Sequence, residues 1–431
     1  MIRIPTALLL SLSLGVFAKE APLPAELSAY RLTPVPEASV ALEKGDRLAI
    51  CGDSITEQRM YSVLIETYLA ACLPELGITC RQYGWSGEQA GGFLARMDND
   101  VLRFKPTIAT SCYGMNDFRY VPFDKAIAAE YERNQTRIAE KFKAAGTRYV
   151  IGSSGIIDSV PNWVKTATGT KQELNLSLSE FRNIALKVAR NRGAGFADVY
   201  RPMLVADFHA KQHYGETFQV SGKDGVHPGW AGHAIMAYAF LRSLGVDGDL
   251  GTITYDDATG MASSTGGHEI LSASDGRIGV RSHRLAFAPG PGAADSDASL
   301  RAGMALVPFD AQLNRFLLKI TNPAAESYEV KWGGETKHYT AAQLRAGINL
   351  AAEFHENPFV APFRKIQAAV TAKQGFETKQ IKGLVHGKQG KADMEGTFER
   401  SERERAGFVE KLAAAIGPVE HGLSISRAGN R

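Results

Sequence analysis

Between residues 47 and 245 short apolar runs alternate with longer amphipathic ones, and no other feature of the chain restricts its fold as much. The runs at 48–51, 78–83, 107–113, 149–152 and 194–199 read as strands, and the stretches 60–73, 92–103, 124–145, 172–192 and 229–244 carry helical periodicity. Strands that are apolar throughout have no wet face, so the pattern predicts a parallel sheet with helices on both sides. In such sheets ligands collect at the carboxyl ends of the strands. The segment RLAICGDSIT (47–56) shows what this sheet delivers there: an apolar run stops on Gly52-Asp53-Ser54 and sets a hydroxyl on the rim.

The texture changes after residue 245. From 249 to 350 the chain is rich in Gly, Ser and Asp with short strand-like pieces. Among them 316–320 and 328–332, joined across Asn322-Pro323, read as a β-hairpin. Helical patterns at 362–373 and 399–415 close the chain, packing on this β-rich module or returning to the first unit. The alternating charges of 399–405 read as a solvated helix face.

At its start, MIRIPTALLLSLSLGVFA places Arg3 ahead of an apolar core and ends on a small-x-small signal, the pattern of a removable secretory leader. That core is shorter than the roughly 20 residues a bilayer span needs. The division expected is a leader at 1–18, an N-terminal segment at 19–46, a catalytic domain at 47–248, a β-rich accessory module at 249–350 and a helical segment at 351–431. With 49 Lys and Arg against 46 Asp and Glu, the chain is near neutral, which argues against a nucleic-acid or anionic-membrane partner. Of the four cysteines, Cys51 and Cys112 lie on apolar strands and read as buried thiols. The spacing of Cys72 and Cys80 leaves open a short-loop disulfide in an exported chain.

Three strands end on chemistry-bearing loops: Gly52-Asp53-Ser54, Gly84-Trp85-Ser86-Gly87 and Gly114-Met115-Asn116-Asp117. Asp224-Gly225-Val226-His227-Pro228 follows just before the last helix of the first unit. Acyl transfer needs a serine activated by a histidine, a carboxylate to orient that histidine, and donors for the oxyanion. One of each is present. Asp224 and His227, three residues apart, must come from a single turn.

These blocks, GDSIT, WSGEQAGG, GMND and DGVHP in that order, resemble those of the SGNH or GDSL-type serine esterases. The resemblance implies a flavodoxin-like three-layer α/β/α sandwich followed by the β-rich module and terminal helices. It implies Ser54 as nucleophile, His227 as general base and acid, Asp224 as its orienting carboxylate, and an oxyanion hole from the N–H groups of Ser54 and Gly87 with the Asn116 amide. No cofactor or metal is implied, and an Asp224, His227 and His233 metal site lacks the spacing such centres use. Two positions depart from the family pattern: Gln82 stands where Asn is usual, and Gln89 where Thr is common. Trp85 and Arg119 are candidate substrate contacts. Asp53 reads as a loop brace, His233 as a packed histidine, and Trp163 as a cover for the core, with a sugar platform formed by Asn162-Trp163 as the alternative. The expected activity is hydrolysis of a small-molecule or glycan ester, O-acetyl groups on a carbohydrate first. The alternatives are a lipase, lysophospholipase or thioesterase for longer acyl chains, and a non-catalytic carbohydrate-binding protein.

Overall fold

The computed structural model describes residues 22–36 and 40–428, so the expected leader at 1–18 lies outside the described residues. Five parallel strands, β1 (Arg47–Gly52), β2 (Thr79–Gly84), β3 (Ile108–Cys112), β4 (Arg148–Gly152) and β5 (Gly195–Ala197), form one sheet in the order β2-β1-β3-β4-β5. This is the flavodoxin-like doubly wound order, whose ligand crevice opens where the winding reverses, between β1 and β3. Every residue of β3 is buried, and all of β1 after Arg47, as uninterrupted apolar runs require when both faces are covered.

The helices are α1 (Ser54–Glu57), α2 (Tyr61–Cys72), α3 (Ala90–Asp100), α4 (Lys125–Ala144), α5 (Lys171–Arg192), α6 (Tyr200–Tyr214) and α7 (Trp230–Ser243). α2 packs with α7, while α3, α4 and α5 pack in succession, giving the two outer layers. α6 falls where a loop was expected. Among the described residues no helix is long and apolar enough to cross a membrane.

A C-terminal β-rich module follows. Its first sheet, in the order β13-β10-β6-β7, contains β6 (Asp249–Asp256), β7 (Ala262–Ser264), β10 (Arg315–Thr321) and β13 (Ile348–Asn349). Its second, in the order β12-β11-β14-β9-β8, contains β8 (His268–Ser274), β9 (Arg277–Ser282), β11 (Ser327–Trp332), β12 (Glu335–Thr340) and β14 (Val419–Arg427). Two expectations are corrected here. The proposed hairpin does not form: β10 and β11 belong to different sheets, with Phe316 of one facing Trp332 of the other at 5.7 Å between ring centroids. Their apolar faces meet across the core instead of lying side by side, and the turn between them is clamped by Asp257, which accepts from Ala324 N–H and Tyr328 Oη. Nor is the chain helical to its end, because β14 sits in the middle of the second sheet with His421, Leu423 and Ile425 turned inward.

The closing helices, Val360–Thr378 and Met394–Ala415, return to the first unit. There they cover the outer edge of β2, whose backbone groups would otherwise be open to pairing. Glu377 accepts from Gln82 N–H at 3.1 Å, and Lys373 and Arg405 donate to the Cys80 carbonyl at 2.9 and 3.2 Å. Lys373 is buried between Glu377 and Glu66, at 2.7 and 3.0 Å. The 399–405 stretch is therefore not simply a solvated face: Arg405 pairs with buried Glu377, and Glu402 pairs with Arg81. All four cysteines are buried free thiols, Cys72 and Cys80 included.

Candidate active site

The turn after β1 is tight enough to require glycine. A Cβ on Gly52 would stand 2.0 Å from Thr56 Oγ1, because the chain folds straight back into α1. Asp53 caps that helix by accepting from Ile55 N–H at 3.0 Å, which leaves Ser54 as its first residue. Burial pushes the Asp53 carboxyl up to about 7, a brace and not an exposed reactive group.

Ser54 Oγ lies 2.8 Å from His227 Nε2, and His227 Nδ1 lies 2.7 Å from Asp224 Oδ2. Asp224 also accepts from the backbone N–H groups of Val226 and His227 at 2.9 and 2.8 Å, so one turn holds both side chains. Partial burial works to raise its pKa, but those two N–H groups and the His227 ring hold the carboxyl below its ordinary value. An ionised Asp224 can only accept, so Nδ1 carries the proton and Nε2 faces the Ser54 hydroxyl as acceptor. A hydroxyl in that position can pass its proton to the imidazole as its oxygen attacks a carbonyl.

The other blocks stand on the same rim. Gly87 follows β2 with a left-handed φ of +74°, a conformation that favours glycine. Asn116, after β3, gives one amide hydrogen to the Glu88 carbonyl at 3.1 Å and keeps the other. The Asn116 backbone carbonyl accepts from Gln89 Nε2 at 3.0 Å. The Glu88 carboxylate is fixed in turn by Arg96 (2.6 and 2.7 Å) and by Tyr113 Oη (2.7 Å). Asp117 ties the two blocks together through Gly114 N–H and Ala90 N–H, and burial pushes it up to about 7. Gln82 and Gln89, the two departures from the expected pattern, both make structural contacts, since Gln82 Nε2 donates to the Thr56 carbonyl at 2.7 Å.

The flanking candidates fall differently. Trp85 is half-buried with Arg96, Lys382 and His386 around its indole, and Arg119 is exposed and paired with Glu130 at 2.6 Å. His233 is fully buried against Tyr61, with Nδ1 accepting from Tyr61 N–H and Nε2 on Gln58; burial pushes its pKa down to about 3. Trp163 does not cover the core. It is 48% exposed, and its ring lies 5.8 Å from that of His227 and 5.8 Å from that of Tyr120, because its loop runs over the histidine. Three contributors had no motif to betray them. Glu57 accepts from Ser86 Oγ at 2.7 Å, Lys382 donates to both Glu57 oxygens at 2.7 Å, and Asp158 steadies the His227 turn by donating its N–H to the Gly225 carbonyl at 2.8 Å.

Residues 50–235 match the sequence model of the GDSL-like Lipase/Acylhydrolase family. The chain thus carries a GDSL-like acylhydrolase domain over those residues. It is an ester-hydrolysing serine hydrolase. A curated relative, the acetylxylan esterase of Geobacillus stearothermophilus, is 27% identical over 228 residues, which is 47% of this esterase and 95% of the relative. The crystal structure of an acetylxylan esterase from Geobacillus stearothermophilus covers 48% of the esterase and 97% of its own chain at 24% identity, with a TM-score of 0.39. A gut microbial diltiazem-metabolizing enzyme matches 91% of the esterase over 100% of its own chain, at 21% identity and a TM-score of 0.71. That enzyme shares the fold of the esterase with the C-terminal portion included.

Proposed function

We propose that this esterase is exported and removes O-acetyl groups from a carbohydrate, with Ser54, His227 and Asp224 as its catalytic residues. The observation that carries the reading is the unbroken line from Ser54 Oγ to His227 Nε2 (2.8 Å) and from His227 Nδ1 to Asp224 (2.7 Å). Ser54 Oγ attacks the acetyl carbonyl while His227 takes its proton, and the imidazolium is stabilised by Asp224. The oxyanion meets the N–H groups of Ser54 and Gly87 and the free amide hydrogen of Asn116. Collapse expels the sugar hydroxyl, which takes its proton from His227. Water, deprotonated by the same ring, then releases acetate from Ser54.

The acetyl-carbohydrate part draws support from the acetylxylan esterase relative and from the exposed indole of Trp163 beside His227. Export rests on the leader-like pattern of residues 1–18. Acetate release should be measured on acetylated xylooligosaccharides and other acetylated glycans, alongside p-nitrophenyl esters of short and long chain. Ser54→Ala should lower turnover by about 10³-fold or more with the melting temperature unchanged. Persistent turnover in that variant would remove Ser54 from the mechanism, and a preference for long acyl chains would replace the acetyl reading with a lipase-like one.

A further inference from the structure

The glycine block carrying Gly87 is not held by its own domain alone. Glu57, on the turn that follows Ser54, accepts from the Ser86 backbone N–H and from Ser86 Oγ. Both oxygens of that carboxylate also accept from Lys382, at 2.7 Å each. Lys382 belongs to a π-helical turn, Lys379–Val385, that continues the helix Val360–Thr378. Such turns are rare and concentrate where a helix must aim a side chain out of register. A second route runs beside the first: Thr378 Oγ1 donates to Gln82 Oε1, and Gln82 Nε2 donates to the Thr56 carbonyl in the nucleophile turn. Burial opposes ionisation of Glu57, but Lys382 and Ser86 hold its carboxyl below the ordinary value, so the bridge is ionic.

We infer that Lys382, more than 300 residues from Ser54 in the chain, is a positioning residue for catalysis. Through Glu57 and Ser86 it fixes the peptide plane that aims the Gly87 N–H at the oxyanion. The inference rests on the oxyanion role proposed for Gly87. A donor acts on charge that develops only in the transition state, so loosening it lowers kcat and leaves KM nearly unchanged. Loss of Lys382 leaves Glu57 half-buried without its cation and frees Ser86 to drift, and displacements below 1 Å at such donors already cost rate.

The test is steady-state hydrolysis of p-nitrophenyl acetate by the full chain. In Lys382→Met, kcat should fall about tenfold with KM within about twofold of wild type, and Lys382→Arg should recover most of the loss. If Lys382→Met does not fold, Lys382→Ala, which removes the donor with less bulk, carries the same measurement and the same expected loss. A double-mutant cycle with Asn116→Ala separates aiming from general support. If both residues serve one oxyanion, the loss caused by Lys382→Met should shrink in the Asn116→Ala background. An unchanged kcat in folded Lys382→Met, a loss confined to KM, or a loss that multiplies fully with that of Asn116→Ala would overturn the inference. Turnover surviving in Ser54→Ala would instead overturn the mechanism beneath it.

Discussion

Trp163 leaves about half of its surface in water beside His227, an expensive setting for an indole unless a ligand covers it. A sugar ring laid on that face would sit where the leaving hydroxyl meets the imidazole. Trp163→Ala should therefore raise KM for an acetylated oligosaccharide about tenfold, the equivalent of about 1.4 kcal/mol, while p-nitrophenyl acetate, which has no sugar to stack, changes little. Equal effects on both substrates would make Trp163 a support for His227. At this scale the chemistry was legible wherever a mechanism demands a residue type at a fixed spacing: Asp224 and His227 had to share a turn, and they do. For Trp163 the sequence put a core cover ahead of a sugar platform, because nothing local distinguishes an aromatic over the core from one over a histidine. Lys382 could not be read at all, because its partner Glu57 is chosen by proximity in space.

Among the elements, the β-rich module holds a directed chain of hydrogen bonds that fixes its two sheets together. Trp332 Nε1 donates to His421 Nδ1 at 3.1 Å, so His421 donates from Nε2 to Ser282 Oγ, at 2.8 Å. The Ser282 hydroxyl then donates to His268 Nδ1 at 2.8 Å, and His268 Nε2 donates to the Leu250 carbonyl at 2.7 Å. Each step requires a neutral ring, and burial pushes His421 down to about 4, with neighbouring His268 adding to the shift. An unfolded histidine titrates near 6.5, so the unfolded chain takes the proton first. The contribution of His421 is complete above about 6.5 and is lost as the pH falls toward 4, at most about 3 kcal/mol. Urea unfolding between pH 6 and 4.5 should accordingly show a slope smaller by nearly one proton in His421→Phe than in wild type; equal slopes would mean that His421 is not held neutral. The same module marks a limit of periodicity. Strands with one inward face, such as β10 and β11, alternate alike whether they pair or face each other, so pattern alone could not tell a hairpin from two stacked layers. The five apolar strands of the first sheet carried no such ambiguity.

For the whole molecule, the family match ends at residue 235, yet the first sheet is completed from beyond residue 350. Cutting the chain after residue 248 would strip the outer edge of β2 and leave Glu66 without Lys373. Removing one partner of a buried ion pair costs about 3–5 kcal/mol, a large share of the stability of an ordinary domain. The 47–248 piece expressed alone should be found in the insoluble fraction while the full chain is soluble; a soluble, active piece would show that the closing helices are dispensable. Lys373 and Glu377 also carry a consequence in time. They seal the edge beside β2 from nearly 300 positions downstream, so a chain emerging from its N-terminus holds an open strand until residues 373–377 have been made. Such a chain completes the sheet beneath Ser54 only after most of the β-rich module has been made.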